Sequence, residues 1–217
     1  MEPSSTDLTV WISRLRAAAA PGLGQPIPEH SELARQAWVE GFVDDHGNRP
    51  DITTPFLTWC ARLRVVDAPT HTPDAPPDSM LWWALSDPRI DPSRFLNQQD
   101  QGPILHQAER TSIEVWTERE LCGLHAFSRL ALAGSRADWE SRCFRCVDWL
   151  MNNLQPDNAT NHPWAIHVFV IAARAGNPDA DMYAQTLLHN CQVNLGRADR
   201  LSAYILRDAS EFLTERF

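Results

Sequence analysis

The chain has 217 residues, of which 43% are hydrophobic and 22% are charged, so it is large enough to bury about 70% of its unfolded surface as a globular domain. All 19 basic residues are arginine, which excludes a Schiff-base lysine and the lysine of a phosphate-binding loop. The net charge of −9 argues against nucleic acid or an anionic membrane as a partner.

The first residues and the cysteines predict a cytoplasmic protein. Met1 to Asp7 are polar and acidic, without the basic and apolar segments of a secretory signal. No apolar run approaches the ~18 residues that a membrane-spanning helix needs, so we expect no membrane partner. The five cysteines are odd in number and dispersed, which favours reduced thiols over a disulfide framework.

Three helices are predicted in the N-terminal part of the chain. Apolar residues recur at helical spacing over residues 6–20 and 29–45, and a segment rich in proline and glycine separates them. A third helix is predicted from Thr54 and Pro55, a cap followed by a first-turn proline, to about Val66.

A proline-rich stretch then divides the chain. Residues 69–77 contain four prolines and predict a stiff, extended linker. We therefore expect an N-terminal helical segment over residues 1–68 and a C-terminal region over residues 78–217, with one continuous domain as the alternative. A short helix is predicted from Asp78 to the residue before Pro88.

The C-terminal half contains five predicted helices and needs no strand. Thr117 and Glu120 form a capping box, which predicts a helix start at residue 117 or 118. Gly134 ends that helix, and Ser135 with Asp138 caps the next one. Three further helices are predicted to begin near Pro163, Asp179 and Asp199.

An internal similarity predicts how these helices are arranged. A shift of 42 residues aligns His125 with His167, Phe127 with Phe169 and Gly134 with Gly176. Each unit consists of a helix that is apolar nearly all round, a turn and an amphipathic helix, which predicts an inner and an outer layer. The expected fold is all-α, with stacked helical hairpins in a partial α/α-toroid or α-solenoid-like array and an N-terminal helical arm.

A junction between two of the predicted helices carries a resemblance to known proteins. The run Leu154-Gln155-Pro156-Asp157, followed by His162-Pro163-Trp164-Ala165, resembles the outer-to-inner helix junctions of α/α-toroid proteins. That group includes terpene cyclases, protein prenyltransferase β subunits and several polysaccharide-active enzymes. The resemblance covers about residues 115–217 and implies the fold alone, because the D-x-D-D and D-x-C motifs of those enzymes are absent from the sequence.

Histidines at corresponding positions of the two units predict a metal site. If the first helices lie side by side, His125 and His167 share a rim with Glu118 or Glu120. This set of nitrogen and oxygen donors suits zinc, manganese or iron, with a glutamate as the base. In the alternative interpretation, the two histidines are buried and bond to neighbouring groups, while Glu120 only completes the capping box.

Other polar and aromatic residues near the same helix ends are candidate site residues. Glu114 and Glu118 are the carboxylates left free to act as an acid or a base. Four residues are candidate ligand-binding residues: Trp116 at the start of one predicted helix, and Asn161, His162 and Trp164 around one inter-helix junction. The alternative for all four is ordinary turn formation and core packing.

Two functions from different classes follow. The sequence favours a noncatalytic binding or scaffold module whose concave inner surface holds a protein partner or a small polar ligand, because no catalytic motif is recognisable. The alternative is a metal-assisted or general acid-base enzyme, a hydrolase or lyase, with its site at the rim of the inner helices. Since so few helices form only part of a ring, we expect the N-terminal segment or a second copy of the chain, as a homodimer, to complete it.

Overall fold

A computed structural model of the chain describes residues 7–64, 75–106, 111–154 and 160–217. These residues form nine α-helices and one 3-10 helix, Pro92–Phe95, which lies between α4 and α5. The only strand-like pairing among them is an isolated bridge between Leu96 and Leu105, so the predicted all-α class is confirmed. The helices are α1 Leu8–Ala19, α2 Glu32–Glu40, α3 Thr53–Cys60, α4 Pro77–Ser86, α5 Ile113–Ala133, α6 Ala137–Asn153, α7 Ile166–Arg174, α8 Pro178–Val193 and α9 Arg200–Arg216.

Side-chain caps fix where four of the helices begin. Asp7, Ser31, Ser112 and Asp199 each accept a hydrogen bond from a first-turn backbone N–H, at the starts of α1, α2, α5 and α9. Helices α4 and α8 begin with proline instead, because the first turn does not need the N–H that proline lacks. The predicted start of the last helix after Asp199 is therefore confirmed.

Helix α5 begins one turn before the predicted start, so the capping-box prediction is wrong. Ser112 is the cap, and Thr117 lies inside the helix, where its hydroxyl donates to the carbonyl oxygen of Ile113 at 2.8 Å. Glu120 is fully buried and accepts hydrogen bonds from two backbone N–H groups of the segment that precedes α5. The two residues of the supposed box thus bond to different partners.

Several other predicted boundaries also need correction. Helix α2 is shorter than residues 29–45, and α3 starts at Thr53, ahead of the predicted cap Thr54, and ends at Cys60. The predicted cap of α6 by Ser135 and Asp138 is wrong, since the N-cap is Arg136 and makes no side-chain hydrogen bond there. Residues 69–74 of the predicted linker and the predicted end near residue 66 lie outside the described residues.

The turns that join α5 to α6 and α7 to α8 share one geometry. Each makes three backbone hydrogen bonds in the same pattern, and each contains one residue with a positive φ, Ser135 (51°) in the first and Gly176 (109°) in the second. Gly176 therefore corresponds to Ser135, one residue away from the predicted match with Gly134. The alignment misses this because the second unit is one residue shorter between its histidine and its turn.

Helices α5, α7 and α9 pack in sequence, α5 on α7 and α7 on α9, while α6 and α8 pack on them and on each other. Helix α7, which packs against both α5 and α9, is more buried than α6. The residues of α7 from Ile166 to Ala173 are all buried, whereas α6 buries only Cys143, Cys146, Val147 and Leu150. On the other side α4 packs on α5 and α3 on α4, and α1 lies along α9.

One continuous hydrophobic core joins the described helices, from Leu8 in α1 to Leu213 in α9. At its centre the ring of Phe56 meets Trp82 and Trp164 edge to face, with centroid distances of 4.9 and 5.0 Å. This aromatic cluster fixes α3 and α4 against the start of α7. In the ranges described, no helix has the length and apolar character needed to cross a membrane.

Candidate functional site

Helices α3, α4, α5 and α9 begin around one cleft of about 420 Å³, which we call the N-terminal cleft. Because the first backbone N–H groups of a helix have no partner within it, these ends give the cleft a polar backbone lining. The junction before α7 closes one side. The lining residues are Pro50, Asp51, Ile52, Pro76, Asp78, Ser79, Glu114, Val115, Glu118, Arg119, Thr160, Asn161, His162 and Leu201.

Glu118 is the polar centre of the cleft and is held by three side chains of that junction. Its Oε1 accepts a hydrogen bond from Nε1 of Trp164 at 2.8 Å and lies 2.7 Å from Nδ1 of His162. Its Oε2 accepts a hydrogen bond from the hydroxyl of Thr160. Because Trp164 is fully buried, its indole is fixed and holds the carboxylate of Glu118 in one orientation.

Glu118 also sets the charge of His162. Burial lowers the pKa of this imidazole, but the hydrogen bond and the negative charge of Glu118 outweigh that effect, so the pKa of His162 lies above its usual value of 6.5. The protonated ring donates from Nδ1 to the carboxylate as an ion pair. The side chains of His162 and Glu118 are 27% and 29% exposed, so both remain accessible from the cleft.

Asp78 is the carboxyl group of the cleft with an unsatisfied oxygen. It lies in the first turn of α4 and is 5% exposed, and its Oδ1 has no hydrogen-bond partner among the described residues. Burial raises the pKa of Asp78 to about 6, against the lowering effects of the positive charge of Arg119 and of the backbone N–H groups of Ser79 and Asp78. The carboxyl therefore changes protonation near neutral pH, and its buried Oδ1 lacks a hydrogen-bond partner among the described residues.

In the sequence, Asp78 indicates only the start of a helix, and no pattern there identifies it as a site residue. The local signal, a proline followed by an aspartate at the start of a helix, occurs again at Pro178 and Asp179 in α8, where the aspartate is exposed. Burial separates the two aspartates, and burial depends on the packing of α4 against α5.

Arg119 brings a positive charge to the cleft from α5. Its side chain is partly buried and forms no hydrogen bond or ion pair with the residues that the structure describes. Its charge lowers the pKa of Asp78 although the two groups form no ion pair. The cleft thus contains a carboxyl and a guanidinium that lie near each other without forming an ion pair.

Four of the residues predicted for the site line the N-terminal cleft: Glu114, Glu118, Asn161 and His162. The predicted ligand-binding residue Trp164 lies behind Glu118 and is fully buried. Trp116, also predicted to bind ligand, is absent from the lining and packs on Trp149 with ring centroids 5.6 Å apart.

His125 and His167 lie side by side in the core, with ring centroids 4.3 Å apart, and both are fully buried rather than placed at a rim. Nδ1 of His125 accepts a hydrogen bond from the backbone N–H of Ala165 at 3.2 Å, so Nε2 carries the proton and donates to Oδ2 of Asp208 at 3.0 Å. Nε2 of His167 lies 2.6 Å from the hydroxyl oxygen of Ser128. These contacts correspond to the hydrogen-bonding interpretation of the two histidines.

The predicted metal set is not formed. Glu118 bonds to His162, and Glu120 bonds to the segment before α5, so neither carboxylate reaches His125 or His167. Burial lowers the pKa of both histidines, that of His167 strongly. Within the part of the chain that the structure describes, no three His, Cys, Asp or Glu side chains are placed to hold a metal ion.

A second cavity, of about 800 Å³, lies at the opposite ends of α3 and α4. Three of its charged groups, Arg129, Asp208 and Glu215, pair with one another. Arg129 donates from Nε to Oδ2 of Asp208 at 2.9 Å and from Nη1 to Glu215 at 2.7 Å, and Trp59 donates to Oδ1 of Asp208 at 3.0 Å. Burial alone would raise the pKa of Asp208, but the charge of Arg129 and the hydrogen bond from His125 lower it to about 2. This cavity therefore offers a ligand fewer free charged groups than the N-terminal cleft does.

The N-terminal cleft combines a fixed carboxylate, a carboxyl of raised pKa and a guanidinium. Such groups bind small polar molecules through charge-assisted hydrogen bonds and can also transfer a proton. Comparisons with known protein families, with curated proteins and with solved structures found no match. The function is therefore inferred from the side chains that line the cleft.

Proposed function

We propose that the chain binds a small polar ligand in the N-terminal cleft. The observation that carries the proposal is the buried carboxyl of Asp78, whose Oδ1 has no hydrogen-bond partner in the described ranges. A buried polar atom without a partner costs about 1–3 kcal/mol, and a ligand that pairs with this oxygen recovers that free energy. The oriented carboxylate of Glu118 supplies a second acceptor.

The size and charge of the cleft favour a small molecule over a protein partner. About 420 Å³ lies within the ~300–1,000 Å³ of typical small-molecule sites. A protein interface buries ~800 Å² on each partner and has an apolar centre, whereas charged groups lie at the centre of this cleft. A noncatalytic binding module of this kind needs no sequence motif.

A stacked array of helical hairpins, a partial α/α toroid, accounts for the place of the cleft. Helices α5 and α9 begin at the cleft, and α7 begins just after the junction that closes it. In such an array the inner helices share one direction, so their N-terminal ends meet on the same side.

A ligand screen with a matched pair of variants tests the binding function. Small polar metabolites are screened by thermal shift, and each hit is measured by isothermal titration calorimetry. Asp78→Asn is expected to weaken binding by about tenfold or more, because it removes a charge-assisted hydrogen bond. Asp179→Asn is the control, since it changes the same residue type at the same helix position on an exposed surface. Failure of every compound to bind, or hits that bind Asp78→Asn as tightly as wild type, would contradict the proposal.

The raised pKa of Asp78 favours a second function, general acid-base catalysis in the same cleft. A pKa of about 6 lets the group take up and release a proton near neutral pH, where acid-base catalysis is most efficient. A hydrolase or lyase of this kind converts its ligand, whereas a binding module returns the ligand unchanged. Each hit is therefore incubated with the protein and followed by NMR. Catalysis predicts turnover that falls about 100-fold or more in Asp78→Asn.

A further inference from the structure

Two residues of opposite charge, Asp78 and Arg119, line the N-terminal cleft without forming an ion pair with each other. Oδ1 of Asp78 has no hydrogen-bond partner, and Arg119 forms neither a hydrogen bond nor an ion pair, as far as the described residues extend. The guanidinium lowers the pKa of Asp78 without contacting it. A molecule bound at this part of the cleft therefore meets both a negative and a positive group.

We propose that the ligand of the N-terminal cleft is a small zwitterion, whose ammonium group binds Asp78 and whose carboxylate binds Arg119. This inference rests on the proposed binding function of the cleft. It adds the chemical class of the ligand and assigns one residue to each of its charges.

The side of the cleft that contains Asp78 suits an ammonium group. The unpartnered Oδ1 accepts a hydrogen bond, and the charge of an ammonium compensates a carboxylate that is 5% exposed. Glu114 and Asp51 add two exposed carboxylates to the same lining. Glu118 adds less, because its charge is already matched by His162.

The guanidinium of Arg119 suits a carboxylate. Its planar set of N–H donors matches the two oxygens of a carboxylate, and none of these donors is occupied by a described residue.

A ligand with a single charge satisfies only part of this arrangement. An amine leaves Arg119 without a partner, and a carboxylate alone meets the negative charges of Asp78 and Glu114. A zwitterion compensates both groups at once, so the expected affinity order is zwitterion first, with the matched amine and the matched carboxylate both weaker.

Titration calorimetry with two probe sets tests this order in the full chain. The first set is the ω-amino carboxylates from glycine through γ-aminobutyrate to ε-aminohexanoate, which scan the separation of the two charges, each with its matched alkylamine and alkyl carboxylate. The second is the common L-α-amino acids, each with its methyl ester and N-acetyl derivative. At least one zwitterion is expected to bind about tenfold or more tightly than both of its single-charge relatives.

Two variants test which residue binds the ammonium group of the ligand and which binds its carboxylate. Arg119→Gln should weaken the zwitterion about tenfold or more and should not weaken the matched amine. Asp78→Asn should also weaken the zwitterion about tenfold or more and should not weaken the matched carboxylate. Arg94→Gln and Asp179→Asn, two exposed positions, are the controls and should bind as wild type does. If Asp78→Asn fails to fold, Arg119→Gln and the probe series in wild type still decide the outcome.

Two other outcomes overturn the inference and are distinguishable from each other. An amine or a carboxylate that binds as tightly as its zwitterion, with loss of binding in the cleft variants, overturns the zwitterion and leaves the binding function standing. No binding by any member of either set also overturns the zwitterion, and the metabolite screen then decides the binding function separately.

Discussion

Glu118 and His162 form an ion pair at 2.7 Å that ties α5 to the junction before α7. The two residues are 44 positions apart in the chain, so the pair constrains tertiary structure rather than a single helix. Because Glu118 also lies at the centre of the N-terminal cleft, the same carboxylate contributes to folding and to the shape of the site.

This ion pair predicts that stability decreases above neutral pH. The pKa of His162 is raised in the folded chain above its usual value of 6.5, so the stabilisation is complete below pH 6.5 and is lost as pH rises through the folded pKa. Glu118→Gln should lower the free energy of unfolding by ~1.5–3 kcal/mol just below pH 6.5, where the imidazole is protonated and the carboxylate is ionised, because it removes charge-assisted hydrogen bonds. The same substitution should also abolish most of the decrease in stability that wild type shows as pH rises. Urea unfolding across this pH range measures both effects.

The surface pair Arg207–Glu211 provides the control for that experiment. Glu211 is 40% exposed and bonds to Arg207 one turn away on α9, so Glu211→Gln should change stability by less than about 0.5 kcal/mol. A wild-type protein whose stability is flat above pH 6.5 would contradict the role given to His162.

Asp78 predicts a second pH effect in a separate window. Its folded pKa of about 6 lies above its usual value of 3.8, so the folded chain holds the proton more tightly. Stability should therefore decrease by about 3 kcal/mol as pH rises between these two values. Asp78→Asn cannot ionise and should be more stable than wild type above pH 6. Urea unfolding of both proteins checks this, and Asp179→Asn should follow wild type throughout. A variant no more stable than wild type would show that the carboxyl is not desolvated.

The buried network predicts a large cost when one charge is removed. Asp208→Asn leaves the guanidinium of Arg129, which is 3% exposed, without its buried carboxylate, and should lower the free energy of unfolding by ~3–5 kcal/mol. Glu215→Gln removes the other partner of Arg129, but that carboxylate is 50% exposed and should cost no more than ~1 kcal/mol. Denaturant unfolding compares the two. Similar costs would contradict the account of Asp208 as the compensating charge.

The turn between α5 and α6 predicts a stabilising substitution. Ser135 is exposed and has a φ of 51°, a conformation that costs a residue with a Cβ ~1–2 kcal/mol and glycine almost nothing. Because glycine also loses more backbone entropy on folding, Ser135→Gly should stabilise the chain by about 0.5–1 kcal/mol. Ser135→Ala retains the Cβ and should give no such gain in thermal or urea unfolding.

The site residues that lie in a recognisable local pattern of the sequence could be identified from the sequence alone. Glu114, Glu118, Asn161 and His162 lie at a helix start or in a polar junction, and the structure brings all four to the N-terminal cleft. Asp78 could not be identified in this way, because its importance comes from burial by packing between helices that are distant in sequence.

The placement of His125 and His167 shows the same limit. The internal similarity predicts that the two rings are neighbours, and they are, at 4.3 Å. Their surroundings depend on Asp208, 83 residues beyond His125 in α9, and no periodic pattern links that residue to the repeat. Similarly, Thr117 and Glu120 match a capping box in sequence, but the cap at Ser112 and the burial of Glu120 override it.

Each of the two cavities has an indole N–H bonded to its central carboxylate. Trp164 donates to Glu118 in the N-terminal cleft, and Trp59 donates to Asp208 in the second cavity. Indole N–H protons resonate apart from most backbone amides in a proton NMR spectrum, so each of these two protons is an intrinsic probe of one cavity. Occupancy of either cavity, or a change in charge at its carboxylate, can therefore be followed in the unmodified protein without a label.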